Sequence, residues 1–156
     1  MMTVKERSMA SAHDVAAYIL SKSGRMTAMK LQKLVYYCQA WSLVWDERPL
    51  FAERIEAWAN GPVIPALYDV HRGKFEVDKW PEGDPTRLDE CAIETIDAVV
   101  EFYEPRSAQW LSDLSHMEAP WRDARKGLPE GERSNVEIRH ASMAEYYGGL
   151  PSDVSA

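Results

Sequence analysis

The sequence predicts a mainly α (α+β) fold, a compact helical domain with a small β element. Apolar residues recur at helical spacing over most of the chain, most clearly between Thr27 and Trp45. Hydroxyl or carboxylate caps and Gly or Pro breakers separate those stretches. Strand-like alternation is confined to two short runs, Ile55 to Ala59 and Val136 to Ile138.

In chain order, Ser11-Ala-His-Asp14 has capping-box spacing and opens a helix whose stripe is Val15, Tyr18 and Ile19, with Gly24 ending it. A second helix follows Thr27 and places Leu31, Leu34, Val35, Cys38, Trp41 and Trp45 on one face, a core face. Lys30 and Lys33 then read as its solvated polar side, with phosphate contact the less common alternative. Ile55, Ala57 and Ala59 alternate with Glu56 and Trp58 before Asn60-Gly61-Pro62 turns the chain, and Pro62 suits the first turn of a third helix reaching Gly73. Trp80-Pro-Glu-Gly-Asp-Pro85 reads as a surface loop. A helix over Leu88 to Glu104, another from Ser107 through His116, a short turn from Pro120 to Gly127 and a last helix near Met143 to Tyr147 complete the reading.

The 156 residues suit one domain. The expected division is a flexible segment over 1–10, the domain over 11–148 and a flexible tail over 149–156. Leu, Ile, Val and Phe number only 31, so six Trp and seven Tyr must supply much of the core. Lys and Arg total 18 against 25 Asp and Glu, a net charge of −7, which gives no electrostatic support for binding nucleic acid or anionic lipid. Residues 74–104 alone sum to −7, with 3 basic and 10 acidic side chains. The longest apolar run, Val15 to Leu20, is too short to span a membrane, and a cytoplasmic protein is expected.

Signals for chemistry are sparse. His13, His71, His116 and His140 lie far apart and in no metal-ligand spacing, and Cys38 and Cys91 have no C-x-x-C or zinc pattern. Nucleophile-elbow and phosphate-cradle glycine motifs are missing from the sequence. The expectation is a protein that is not an enzyme and takes no cofactor or metal. Trp80 stands in a loop with nothing local to bury it, and reads equally as a partner contact or a lid on the core.

Lys30-Leu-Gln-Lys-Leu-Val-Tyr36, Pro49-Leu-Phe51, Ile55-Glu-Ala-Trp-Ala-Asn-Gly-Pro-Val63 and Tyr68 come in an order and spacing that resembles the Panacea domain, the phage-associated GepA-like and SocA-like antitoxin family. His116-Met-Glu-Ala-Pro-Trp121 with Ala124-Arg125 is similar to that family's late Pro-Trp motif, extending the likeness over about 11–148. The resemblance implies an antitoxin, of bacterial or prophage origin, that neutralises a co-encoded protein toxin by direct binding. Its alternatives are an adaptor that hands the toxin to a ClpXP-type protease, or a phage or transcriptional regulator. Relatives often carry an added DNA-binding domain; with about ten residues before the first matched helix, this chain is not expected to bind nucleic acid by itself. A dimer or a heterotetramer with the toxin is left open.

Among the motif residues, Leu31 reads as core, and Gln32, Lys33 and Tyr36 as polar groups tying the second helix to the short strand. Trp58 is expected to lie across that helix, Gly61 and Pro62 to shape the turn, Tyr68 to belong to the scaffold, and Pro120-Trp121 to start a helix pinned by a buried indole. Toxin choice is expected elsewhere. On the helix from Leu88, Glu90, Glu94, Asp97, Glu101 and Glu104 recur at spacings of four and three, stacking carboxylates on one face opposite Ile93, Ile96, Val100 and Tyr103. An ordinary solvated face is one reading. The other makes Glu94, Asp97 and Glu101, with Trp80, the contact to a toxin whose own site is basic.

Overall fold

The computed structural model describes residues 10–150, and in them the mainly α architecture with a small β element is present. The elements are α1 (Ala12–Ser23), β1 (Met26–Thr27), α2 (Ala28–Trp45), β2 (Ile55–Trp58), β3 (Gly61–Val63), α3 (Pro65–His71), β4 (Glu76–Val77), a 3-10 turn (Pro85–Arg87), α4 (Glu90–Tyr103), α5 (Ala108–Met117), α6 (Ala119–Ala124), β5 (Glu137–Ile138) and α7 (His140–Gly148).

Local capping chemistry sets most helix starts. The Ser11 side chain accepts from the Asp14 amide while Asp14 accepts from the Ser11 amide, a reciprocal cap, and Thr27, Asp89 and Ser107 cap α2, α4 and α5 by the side-chain half alone. Gly24 closes α1 at φ 82°.

α2 is the axis of the molecule. α4 and α7 lie along it, and α1, α5 and β3 close its other sides. Every residue from Leu31 to Ser42 is buried, so α2 has no solvated polar face, contrary to the expectation for Lys33. A helix covered on all sides must satisfy its polar residues internally. The aromatic contribution is large: Tyr36, Tyr37 and Trp41 on α2 meet Tyr103 of α4 and Tyr147 of α7, with Tyr37 and Tyr103 stacked at 4.2 Å.

The small sheet runs β3-β2-β5, antiparallel throughout, with Trp58 opposite Gly61 and Ile55 opposite Ile138. β2 ends at Trp58, and Gly61 and Pro62 belong to β3. Pro65, not Pro62, occupies the first turn of α3, because Ile64 must stay extended to be bound by α2. A two-residue pair, β1 with β4, has no counterpart in the sequence reading.

The termini expected to be flexible fall outside the described residues, apart from Ala10, Gly149 and Leu150. Ala10 is buried and bridges Phe51, and the Gly149 amide caps α7, so those positions belong to the folded body. No helix among the described residues is long and apolar enough to cross a membrane.

Candidate functional site

Two buried glutamines on α2 organise the extended segments around it. Gln32 accepts from the Ile64 amide (2.8 Å) and donates to the Ile64 carbonyl (3.1 Å), a two-point clamp on the chain leaving β3. Gln39 accepts from the Leu50 and Phe51 amides (2.7 and 3.2 Å) and donates to the Phe51 carbonyl (2.9 Å). Each clamp satisfies buried backbone groups that lie outside the named strands. Gln32 Nε2 also lies 3.0 Å from His71 Nε2, and burial holds the His71 pKa below its usual value, which suits a neutral ring accepting there. Part of the expected tie is therefore made: Gln32 and Lys33 hold Ile64 and Pro62, in and just after β3 rather than on the strand from Ile55, while Tyr36 turns instead to the Tyr147 hydroxyl of α7.

Lys33 is 1% exposed, and its Nζ donates to the Pro62 carbonyl at 3.3 Å. Gly61 makes the space. At φ 121° it takes a backbone conformation that side chains disfavour, and a Cβ there would come within 2.9 Å of Lys33 Cε. Burial lowers the Lys33 pKa to about 8. Among the described residues no carboxylate lies within ion-pair distance of it.

Lys33 lines a groove of about 570 Å³ between α2, the hairpin and α3. Gln32, Trp58, Tyr68 and His71 share it, so the motif residues that looked like scattered scaffold converge on one concavity. Trp58 does not lie across α2. Strand alternation turns Ile55 and Ala57 to the core and sends Trp58 to the other face, half-buried, where it meets Tyr68 edge-on at 5.0 Å and donates to Glu56. Phe75 and Met29, 79% and 43% exposed, stand on the rim beside Arg72 and Lys74.

The hairpin's far side is fixed from α6. Pro120 and Trp121 are buried, and Trp121 Nε1 donates to the Trp58 carbonyl at 2.8 Å. Arg125, 5% exposed, donates to the Ala57 carbonyl and packs over the Trp121 ring. His116 stacks on Trp121 at 4.3 Å, and its Nε2 is buried without a hydrogen-bond partner among the described residues.

Glu118 stands in the late motif, and the sequence reading gives it no role of its own. It is 5% exposed and accepts from both Tyr37 (2.7 Å) and Tyr147 (2.8 Å), while the Tyr36 hydroxyl lies 3.0 Å from that of Tyr147. Burial raises its pKa to about 7, against the opposing pull of the two tyrosine donors. A buried carboxylate held by hydroxyls alone ties α2, α6 and α7 together. The available signal was a Glu in the late motif with tyrosines at 37 and 147 on apolar faces, which only the fold brings to one point.

On α4 the carboxylates of Glu90, Glu94, Asp97 and Glu101 are exposed, opposite buried Ala92, Ile96, Val99 and Tyr103. Asp97 accepts from the Tyr18 hydroxyl at 2.7 Å, so the stripe has one neutral internal partner. Trp80 does not join it. At 4% exposure it is a lid: its Nε1 donates to His13 Nδ1 at 3.0 Å, the Asp84 amide donates to Asp14, and a Cβ at Gly83 would overlap the His13 carbonyl. Partners some seventy residues away bury the loop, which is why nothing local announced it.

Among the described residues no three His, Cys, Asp or Glu side chains gather as a metal site, and both cysteines are free, Cys38 buried and Cys91 exposed. No curated protein and no solved structure matches the chain. A family model described as antitoxin SocA-like, Panacea domain, matches residues 31–122, from the start of the buried stretch of α2 through Gln32, Lys33, Trp58, Gly61, Tyr68 and α4 to the residue after Trp121. The span holds both glutamine clamps and the groove residues from Gln32 to Gln109, and with more than half of the chain matched, the chain belongs to the SocA-like Panacea-domain antitoxin family.

Proposed function

We propose that this protein is a non-enzymatic antitoxin that neutralises a co-encoded protein toxin by direct binding, with the outer face of α4 against the toxin's basic site. The observation that carries this reading is the row of exposed carboxylates, Glu90, Glu94, Asp97 and Glu101, on a helix whose opposite side is locked in the core. α4 is held at its start by the Asp89 cap and the Arg48–Asp89 pair (2.8 Å), and near its end by Lys30, which donates to the Glu104 carbonyl. The charges are thus presented on a rigid frame. A toxin that acts on nucleotides or nucleic acid needs cationic groups at its site, and a fixed acidic row both covers such groups and speeds encounter with them. Trp80 drops out of this surface because it is buried.

The test is co-expression with the product of the neighbouring reading frame. Expected is a product that arrests growth alone and is harmless with this protein, with a stable complex on purification. Neutralisation should persist in cells lacking the ClpX-type unfoldase; its loss there would replace blocking by delivery to a protease. If no adjacent product is toxic and rescued, the antitoxin reading is overturned.

A further inference from the structure

We propose that the groove beside Lys33 docks a short acidic segment of a protein partner, setting a carboxylate against Lys33 and a large apolar side chain against Trp58, Tyr68 and Phe75. The site is separate from the α4 stripe, and of opposite charge. In a chain of net charge −7, the residues lining this groove include Lys33, Arg72 and Lys74 and not one Asp or Glu. The Lys33 ammonium has three hydrogens and, among the described residues, one acceptor, the Pro62 carbonyl, although it is almost wholly out of water. A buried cation without a counter-charge is costly, and a carboxylate entering from the groove relieves that cost.

The rest of the surface decides what bears the carboxylate. Phe75 and Met29 stand exposed on the rim, next to the half-buried Trp58–Tyr68 pair. An inorganic anion would meet Lys33 and leave these rings in water. A nucleic acid would bring many phosphates towards a chain of net charge −7. An acidic peptide with an adjacent aromatic or aliphatic side chain satisfies the cation and covers the rim together, and the groove volume lies within the usual range for ligand sites.

The experiment selects a random octapeptide display library on the purified full chain. Recovered peptides are expected to carry Asp or Glu beside Phe, Trp, Tyr, Leu or Met, and the best of them, titrated by anisotropy, should bind at least tenfold more weakly to Lys33→Met. Because Lys33 is buried, the paired surface variant Arg72→Ser/Lys74→Ser provides a second reading that leaves the core alone, with a loss of threefold or more expected. No enrichment, enrichment without acidic residues, or unchanged affinity in folded Lys33→Met would each overturn the proposal. So would competition by millimolar inorganic phosphate, which would make this a free-anion site. A fall in molecular mass by light scattering in Phe75→Ser would instead assign the groove to a second copy of the chain. None of these measurements uses a toxin, so they can fail while the antitoxin reading stands.

Discussion

The outer face of α4 and the groove beside α2 carry opposite charge and hold it in opposite ways. On α4 the carboxylates are exposed and separated by helical turns, so water and salt screen them and like-charge neighbours cost only a few tenths of a kcal/mol per pair. In the groove a single cation is nearly dry, and its presence is a burden on the fold. Exposed charge of the first kind governs how fast a partner arrives. Buried charge of the second kind governs which group is accepted once it is there, because an unmatched partner leaves the cation unpaired.

Trp121→Ala should give the largest effect and break one side of this comparison alone. Losing a buried indole, with its hydrogen bond to the Trp58 carbonyl, is expected to cost about 3–5 kcal/mol. Hydrogen exchange should show protection falling first in β2 and β3 and persisting in α4; equal loss in both would mean the two regions are not separately supported.

Glu118→Gln tests the other buried charge. A carboxyl raised to about 7 in the fold, against about 4.5 when unfolded, binds more protons folded than unfolded between those values. Its contribution is therefore fully present below about pH 4.5 and lost as pH rises through 7. Denaturant titrations should find the glutamine variant gaining on the parent as pH rises from 4.5 to 8, by up to about 3 kcal/mol, and flat above.

Lys33→Met sharpens the contrast from the groove side. With its pKa lowered to about 8 in the fold and near 10.5 unfolded, Lys33 costs stability at neutral pH, and that cost fades as pH climbs from 8 to 10.5. The variant should be more stable by about 1–2 kcal/mol at pH 7, after subtracting the lost bond to Pro62, and the advantage should shrink towards pH 10.5. A destabilised variant at pH 7 would show that the Pro62 bond outweighs burial.

The smallest change in stability is expected where the effect on encounter is greatest. Glu94→Gln, Asp97→Asn and Glu101→Gln together should move stability by only about 0.5 kcal/mol. Association with the toxin should slow and lose most of its salt dependence; unchanged kinetics at low and high salt would remove α4 from the interface.

The parts legible in the sequence are those whose cause is local. Ser11 with Asp14, Thr27 and Ser107 cap helices through atoms three residues away, and the α4 stripe follows from spacing alone. What stayed hidden depends on distant partners. Lys33 looks like any lysine on a polar helix face until Gly61, twenty-eight residues on, leaves it a slot. Trp80 looks exposed until His13 receives it. Pro62 and Pro65 both suit a helix start, and Gln32 decides between them by holding Ile64 extended. The pairing of β1 with β4 involves two residues on each strand, too few for any alternation to register.

The two glutamine clamps carry a consequence for how this chain tolerates change in length. Gln32 and Gln39 are seven residues apart, close to two turns, so their amides point to one side of α2 about 10 Å apart along its axis. Deleting or inserting one residue between them would swing the second clamp by about 100° and tear Leu50 and Phe51 from their seat while leaving Ile64 in place. Single-residue length changes within 33–38, where many substitutions conserve the phase, should therefore unfold the protein. A deletion scan of the whole chain would read as a barcode of α2, its dark band bounded by two glutamines.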